Sequence, residues 1–324
     1  MIRAWLVCMA AVALVFPAAA QQQTTGEALQ LLQKVATAAQ RLNYSGVFVY
    51  QTGNRSETSR ITHLIDGDNE LERLEVLDGS PREVVRKNQE VRCFLPENRL
   101  LIVERRGTRQ FFPLLLPGSL AGLTEYYMIR KGATGRVAGV DSVAVLIEPK
   151  DENRYAHQFW IDPQSGLLLK ASLLNESGAA LETFAFTEIK IGGPLDRELL
   201  KSSMESRSGD WQVQHVRSSD VKADDGHWLI RTALPGFRRI SGMKRQLRPD
   251  APESTQMIFS DGLASVSVFA EPLAGRGREE AGAFTMGAVN VYRRQVADYQ
   301  LIVMGDVPAA ALRRFAEGLE PRRK

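Results

Sequence analysis

The sequence predicts an α+β chain in two parts: a large antiparallel sheet domain and a smaller α+β domain. Three observations carry this. Apolar residues recur at helical spacing mainly near the start and the end of the chain. Between those stretches they recur mostly at period two, in short runs broken by Gly, Asp, Asn and Pro. The pattern dissolves from Ser202 to Gly226 and then resumes, and 324 residues suits two cores of roughly 100–200 residues each. The expected divisions are a signal peptide over 1–20, a sheet domain over 21–205, a linker over 206–226 and a small basic domain over 227–324.

The first twenty residues read as an export signal. Arg3 supplies the positive start, Ala4 to Phe16 the apolar stretch, and Pro17-Ala18-Ala19-Ala20 the small residues of a cleavage site, with cutting expected after Ala20. The apolar stretch is shorter than the roughly 20 residues of a spanning helix. Gln21, not Cys, follows the small residues, which argues against a lipid anchor. The mature chain is therefore expected in a bacterial periplasm, soluble. Cleavage removes Cys8 and leaves Cys93 alone, so no internal disulfide is expected. In Val91-Arg92-Cys93-Phe94-Leu95 that thiol reads as buried and structural.

The mature chain opens on a helix. Thr24-Thr25-Gly26-Glu27 fits a capping box, and Ala28, Leu31, Leu32, Val35, Ala39 and Leu42 share one face up to about Asn43. Strands are then expected at 44–50, 60–65, 71–77, 82–87, 91–95 and 100–104, with turns at Asp66-Gly67-Asp68, Asp78-Gly79 and Pro96-Glu97-Asn98. A short helix is expected within 118–130. Strands resume at 143–147, 155–161, 167–174 and 182–191, the second and third of these joined by an Asp162-Pro163-Gln164-Ser165-Gly166 turn. Several strands are apolar on both faces, as in Tyr44 to Tyr50 and Leu167-Leu168-Leu169. Burial on both sides calls for a sheet curled around one or two helices. The 202–226 stretch has room for one brief strand at 211–216. The second domain is expected to hold strands at 237–240, 255–260, 264–270, 287–293 and 299–304, then a helix with Asp306 as N-cap, Pro308 in its first turn and Leu312, Phe315 and Leu319 on one face.

Composition narrows the function. The chain is 44% hydrophobic and 24% charged, which excludes wholesale disorder, and a formal charge of +3 gives no argument for nucleic-acid binding. The four histidines, His63, His157, His215 and His227, stand in no metal-ligand spacing. Gly118-Ser119-Leu120-Ala121-Gly122 places its serine one position early for a nucleophile elbow. Asp66 to Leu77 lacks the glycine and the terminal glutamate of a calcium loop. Gly275-Arg276-Gly277 lacks a third glycine and runs into acidic residues. No catalytic constellation, metal site or cofactor is expected.

Two features point to binding. The curled sheet carries large apolar side chains, among them Phe48, Phe94, Phe111, Phe112, Leu115, Tyr126 and Trp160. Both plain core packing and a cavity for an acyl chain fit these residues. Phe111-Phe112-Pro113-Leu114-Leu115-Leu116-Pro117 is an apolar loop that needs a cavity or a partner to cover it. The second feature is charge. Residues 21–210 hold 23 basic and 25 acidic groups, whereas 211–324 hold 17 basic and 13 acidic. Among several basic clusters, Arg238, Arg239, Lys244 and Arg245 are the ones selected; a solvated face fits them, and so does a surface steering an acidic peptide or anionic lipid.

An ordered set of segments resembles the RseB/MucB family: Asn43 to Tyr50, Arg73 to Gly79, Arg82 to Arg86, Tyr155 to Leu174, Leu234-Pro235-Gly236-Phe237, and Asp261 to Phe269. The resemblance implies that the first domain is a half-open antiparallel β-barrel with helices in its mouth, similar to periplasmic lipoprotein carriers. It implies a periplasmic negative regulator of sigma-E envelope-stress signalling that binds the periplasmic part of a transmembrane anti-sigma factor, shields it from proteolysis, and is released by lipid-type signals. A lipid or lipopolysaccharide fragment is the implied ligand. A homodimer remains open, and a lipid or lipoprotein carrier using the same cavity is the alternative.

Overall fold

The structure, a computed structural model, describes residues 18–105, 120, 122–216, 218–220, 228–245, 253–273 and 280–322. Helix α1 (Ala18–Arg41) starts upstream of the expected capping box and runs through the expected cleavage point. The Ala and Gln residues ahead of Thr24 are good helix formers, so nothing stops the helix there. The face read from spacing is the buried one: Ala28, Leu31, Leu32, Val35 and Ala39. No described helix is long and apolar enough to cross a membrane.

A meander follows: β1 (Tyr44–Thr52), β2 (Arg55–Asp66), β3 (Asn69–Val76), β4 (Glu83–Lys87), β5 (Glu90–Leu95) and β6 (Leu100–Arg105). After the four-residue helix α2 (Leu123–Tyr126) comes a second meander: β7 (Tyr127–Val137), β8 (Val140–Pro149), β9 (Ala156–Ile161), β10 (Leu168–Leu174) and β11 (Ala180–Ile191). The meanders join where β1 pairs antiparallel with β11, and β12 (Gln212–Val216) adds in parallel beside β6. The order is β12-β6-β5-β4-β3-β2-β1-β11-β10-β9-β8-β7, so the sheet has two edges and is not closed. This is the half-open arrangement.

The short helix expected within 118–130 is Leu123–Tyr126, and Tyr127 begins a long strand that the sequence did not mark. Tyr127 and Ile129 are buried while Met128 and Arg130 are exposed. That is the period of a strand, which the helically spaced leucines upstream obscured.

Both faces of the sheet are covered, and each by a different segment. On the concave face, α1 packs Ala28, Leu31, Leu32 and Val35 against Tyr127, Ile129, Val145, Ile147, Phe159 and Ile161. The β9–β10 turn is pinned to this helix. Lys34 Nζ donates to the Pro163 carbonyl at 2.8 Å, and a side chain at Gly166 (φ +78°) would meet the Lys34 Cβ at 2.6 Å. A second concave cluster holds Tyr44, Phe48, Ile61, Leu167, Leu169, Phe184 and Phe186. On the convex face, residues 197–211 fold back in two 3-10 turns over β3–β6. Met204 and Trp211 there enclose Phe94 and Leu101, and Ser203 donates to the buried Glu83 carboxylate. A helix thus covers one face over β7–β10 and a chain segment the other face over β3–β6. Cys93 is half-buried on β5, not fully buried as expected.

The second sheet holds β13 (Ser218–Asp220), β15 (Arg238–Arg245), β16 (Ser254–Ser260), β17 (Ser265–Pro272), β18 (Gly282–Met286), β19 (Val289–Val296) and β20 (Tyr299–Gly305), in the order β13-β15-β16-β17-β20-β19-β18. A short ladder of β14 (Trp228–Ile230) and β21 (Leu319–Pro321) stands beside it. Helix α3 (Ala309–Glu317) lies on one face and buries Ala311, Leu312, Phe315 and Ala316 against Phe259, Val266, Val268, Leu301 and Val303. Pro308, not Asp306, is the N-cap. The Asp306 carboxylate instead accepts from Ser265 N at 2.6 Å and Ser265 Oγ at 3.2 Å, tying the helix entry to β17. Burial pushes this carboxyl up to about 6, opposed by those hydrogen bonds.

Candidate functional site at the domain junction

The most elaborate polar site joins the two domains. Its centre is Arg154, in the β8–β9 loop, whose side chain is wholly buried. Its Nε donates to Asp261 Oδ2 at 2.7 Å, its Nη1 to Asp151 Oδ2 at 2.6 Å, and its Nη2 to the Pro235 carbonyl. The guanidinium lies over the rings of Tyr126 (4.7 Å), Phe237 (5.4 Å) and Tyr127 (5.5 Å). Arg suits this position because its planar cation can hold three acceptors and stack on rings at once.

Each partner is set by local structure. Asp261 sits in a tight turn whose other carboxylate oxygen accepts from Leu263 N at 3.0 Å and Ala264 N at 2.9 Å. Tyr127 donates its hydroxyl to Asp261 Oδ2 at 2.8 Å, and burial together with that carboxylate pushes its phenol well up. Gly236 (φ +80°) brings the Leu234–Phe237 turn flat against Tyr126; a side chain there would stand 2.5 Å from the ring. Around this centre Asn290 Nδ2 donates to Tyr155 Oη at 3.1 Å, and Arg314 bonds Asn153 and approaches Glu152. Leu263 packs into the α1 cluster, and Gly287 abuts Thr52 at the tip of the β1–β2 hairpin.

A second buried network lies on the concave face. His63 and Tyr44 stack at 5.1 Å, His63 Nδ1 is 2.8 Å from the Leu42 carbonyl, and Glu70, Glu72 and Arg86 surround them. Burial pushes Glu72 up despite Arg86 beside it.

The structure does not bring the sequence-selected apolar residues to one place. Phe48 lies in the concave cluster with Phe184 and Phe186, and Phe94 is buried on the convex face beneath Trp211. Trp160 alternates with the buried Phe159 and Ile161, and its ring covers Gly135. Tyr126 belongs to the junction, over Arg154. Phe111, Phe112 and Leu115 lie outside the described residues. Of the basic cluster, Arg239 shares a register position with Phe259 and Lys244 with Thr255, whereas Arg238 pairs with Ser260 and falls on the opposite face. Arg245 closes the strand.

Sequence reasoning missed Arg154 and Asp261 as a pair. A signal existed: Leu234–Phe237 and Asp261–Ala264 are two of the segments that carried the family resemblance, and both converge on the arginine just ahead of a third.

These features define a two-domain protein, its half-open sheet joined to a helix-backed sheet through a buried cationic centre. Residues 27–204 match the model of the MucB/RseB N-terminal domain and residues 222–320 that of the MucB/RseB C-terminal domain. The chain belongs to the MucB/RseB family. The sigma factor AlgU regulatory protein MucB of Pseudomonas aeruginosa is 30% identical over 302 residues, 91% of each chain. The sigma-E factor regulatory protein RseB of Escherichia coli K12 is 25% identical over 292 residues, covering 90% of this chain and 89% of that one. The solved complex of Pseudomonas aeruginosa MucA/MucB matches with a TM-score of 0.73 and 28% identity, over 92% of this chain and 100% of that chain. A crystal structure of MucB matches with a TM-score of 0.65 over 92% and 98%. These relatives are named as regulatory proteins.

Proposed function

We propose that this chain is a periplasmic regulator. It binds the periplasmic part of a transmembrane anti-sigma factor, shields it from regulated proteolysis and so holds a sigma-E-type factor inactive. The observation that carries this reading is the match to a MucB solved in complex with the periplasmic part of MucA, which extends over both domains and covers 92% of the chain. An extended anti-sigma segment is the kind of ligand that two joined sheets can cover, since a disordered chain orders itself along a large surface on binding. Release by a lipid-type signal follows from linkage. A lipid that prefers the partner-free form weakens the partner by the factor by which the partner weakens the lipid.

Calorimetry of the mature protein with the periplasmic segment of the anti-sigma factor of its own bacterium tests this. Saturable binding that a lipid weakens reciprocally is expected. Absence of binding ends the regulatory reading; binding that lipid leaves unchanged ends the release step alone.

A further inference from the structure

We propose that the second domain is a strap across the half-open first sheet, tethered at one end of the strand order and latched at the other, and that the latch seals the concave α1 cluster. The first sheet ends on β12 at one edge and on β7 at the other. β12 pairs with β6 up to Val216, and β13 begins at Ser218 on the edge of the second sheet, so the covalent tether lies beside β12. At the other end, the Asp261–Ala264 turn of the second domain meets Tyr127, the first residue of β7, and Arg154 of the β8–β9 loop. One body therefore holds both ends of a sheet that does not close on itself.

Three observations make the second attachment a latch. Its centre is polar: Tyr127 and Arg154 both donate to Asp261 Oδ2, at 2.8 and 2.7 Å. Much of the attraction in a buried ion pair only offsets the desolvation of its members, and separation returns both charges to water. A contact between domains built this way can part while each domain stays folded. Next, the turn carries its carboxylate and its leucine together, because Asp261 Oδ1 accepts from Leu263 N and Ala264 N. Finally, Leu263 belongs to the second domain yet packs, half-buried, against the α1 cluster of the first.

Tyr127 connects these facts. Its ring lies in the α1 cluster and its hydroxyl is on Asp261. Parting of the ion pair thus withdraws an apolar side chain from the concave core and uncovers apolar surface there. An uncharged apolar molecule binds the open form better than the closed one and so holds the strap open. The strap bears on release of the anti-sigma segment only through the regulatory reading above; the latch itself does not depend on that reading.

The test uses the full exported chain without partner, with Cys93→Ser. Glu152→Cys and Arg314→Cys place thiols on either side of the junction, at an exposed ion pair whose loss costs little, and a short bismaleimide joins them. Binding of the uncharged dye N-phenyl-1-naphthylamine, which brightens in apolar surroundings, is read before and after joining. Holding the strap shut is expected to weaken the dye by about fivefold or more, because the competent form is no longer populated. Tyr127→Phe keeps the ring and removes the hydroxyl from Asp261. It is expected to strengthen the dye about two- to tenfold in the free protein, the worth of one hydrogen bond, and to change nothing in the crosslinked one. Equal dye binding with the strap free and crosslinked overturns the proposal, and this comparison needs only surface substitutions. A Tyr127→Phe effect that survives crosslinking overturns the latch. Crosslinking that weakens the dye yet leaves the affinity of a measured anti-sigma segment unchanged overturns the link to the partner only.

Discussion

The two domains solve the burial problem differently. The C-terminal domain packs one face of a seven-stranded sheet against one helix, and its apolar side chains form a single continuous cluster from Leu234 to Leu319. The N-terminal domain spreads twelve strands over a half-open surface and divides its apolar side chains into three clusters, two concave and one convex. It also buries charge within the sheet, around Glu70, Glu72 and Arg86 on one face and around Arg73 and Glu83 on the other. A continuous core opens as a unit, whereas a divided one can yield one cluster and keep the rest. The first domain can therefore open in part, whereas the second opens as a unit. Arg154 lies where they meet.

The largest expected effect comes from breaking that meeting point. Arg154→Met leaves the buried Asp261 carboxylate without its cation, which costs about 3–5 kcal/mol. Chemical denaturation should then show the two domains unfolding in separate steps, and the double variant with Asp261→Asn, which removes the unbalanced charge and keeps an acceptor for Leu263 N, Ala264 N and Tyr127, should recover much of the loss. One unchanged cooperative transition in Arg154→Met would remove the junction from the account.

Within the domains, Phe315→Ala strikes the continuous core, where the ring packs on Phe259 at 5.2 Å, and should cost about 3–5 kcal/mol. Hydrogen exchange should rise across all of β15–β20. Leu32→Ala in α1 should cost about 2–5 kcal/mol but raise exchange chiefly in α1 and β7–β9, leaving the Phe48 cluster protected. Equal spread of the two effects would contradict the contrast between the cores.

Acid should act with opposite sign on two buried groups, one in each domain. Burial depresses His157 from 6.5 to about 4, so between those values the unfolded chain binds the extra proton; the stability this neutral ring contributes is present above pH 6.5 and is lost as pH falls towards 4. Asp306 is raised from 3.8 to about 6, so the folded state binds the extra proton, and its contribution grows as pH falls from 6 towards 3.8. Each is worth about 2–3 kcal/mol over its window. In denaturation at a series of pH values, His157→Phe should remove the part of the first domain's acid loss that this ring carries, while the raised Glu72 carboxyl acts in the opposite sense. Asp306→Asn should flatten the opposite slope in the second domain.

The smallest effect is expected at the basic strand. Reversing Arg238, Arg239, Lys244 and Arg245 to Glu should slow partner association and flatten its salt dependence. Because the strand's register puts Arg238 on the face opposite Arg239 and Lys244, reversing the two faces separately shows which one meets the partner. Association rates unaltered at low salt in both would discard this surface.

Much was determined by the chain alone, because it rests on contacts between near neighbours in sequence. The 3.6-residue spacing of Ala28, Leu31, Leu32 and Val35 named the buried face of α1. Period-two runs and turn residues located most strands of both sheets, and Asp162 to Gly166 formed the turn its composition demands. Other features depend on which distant segments meet, and composition carries no record of that. Residues 206–211 fall in the expected linker, yet together with 197–205 they cover the convex face because Phe94 and Leu101 would otherwise stand in water. The apolar residues selected for one cavity part company because alternation along a strand sends neighbours to opposite faces. Arg154 reads as a loop cation. Only the docking of two domains, which withdraws it from water and surrounds it with Asp151, Asp261, the Pro235 carbonyl and three aromatic rings, makes it the centre of the molecule.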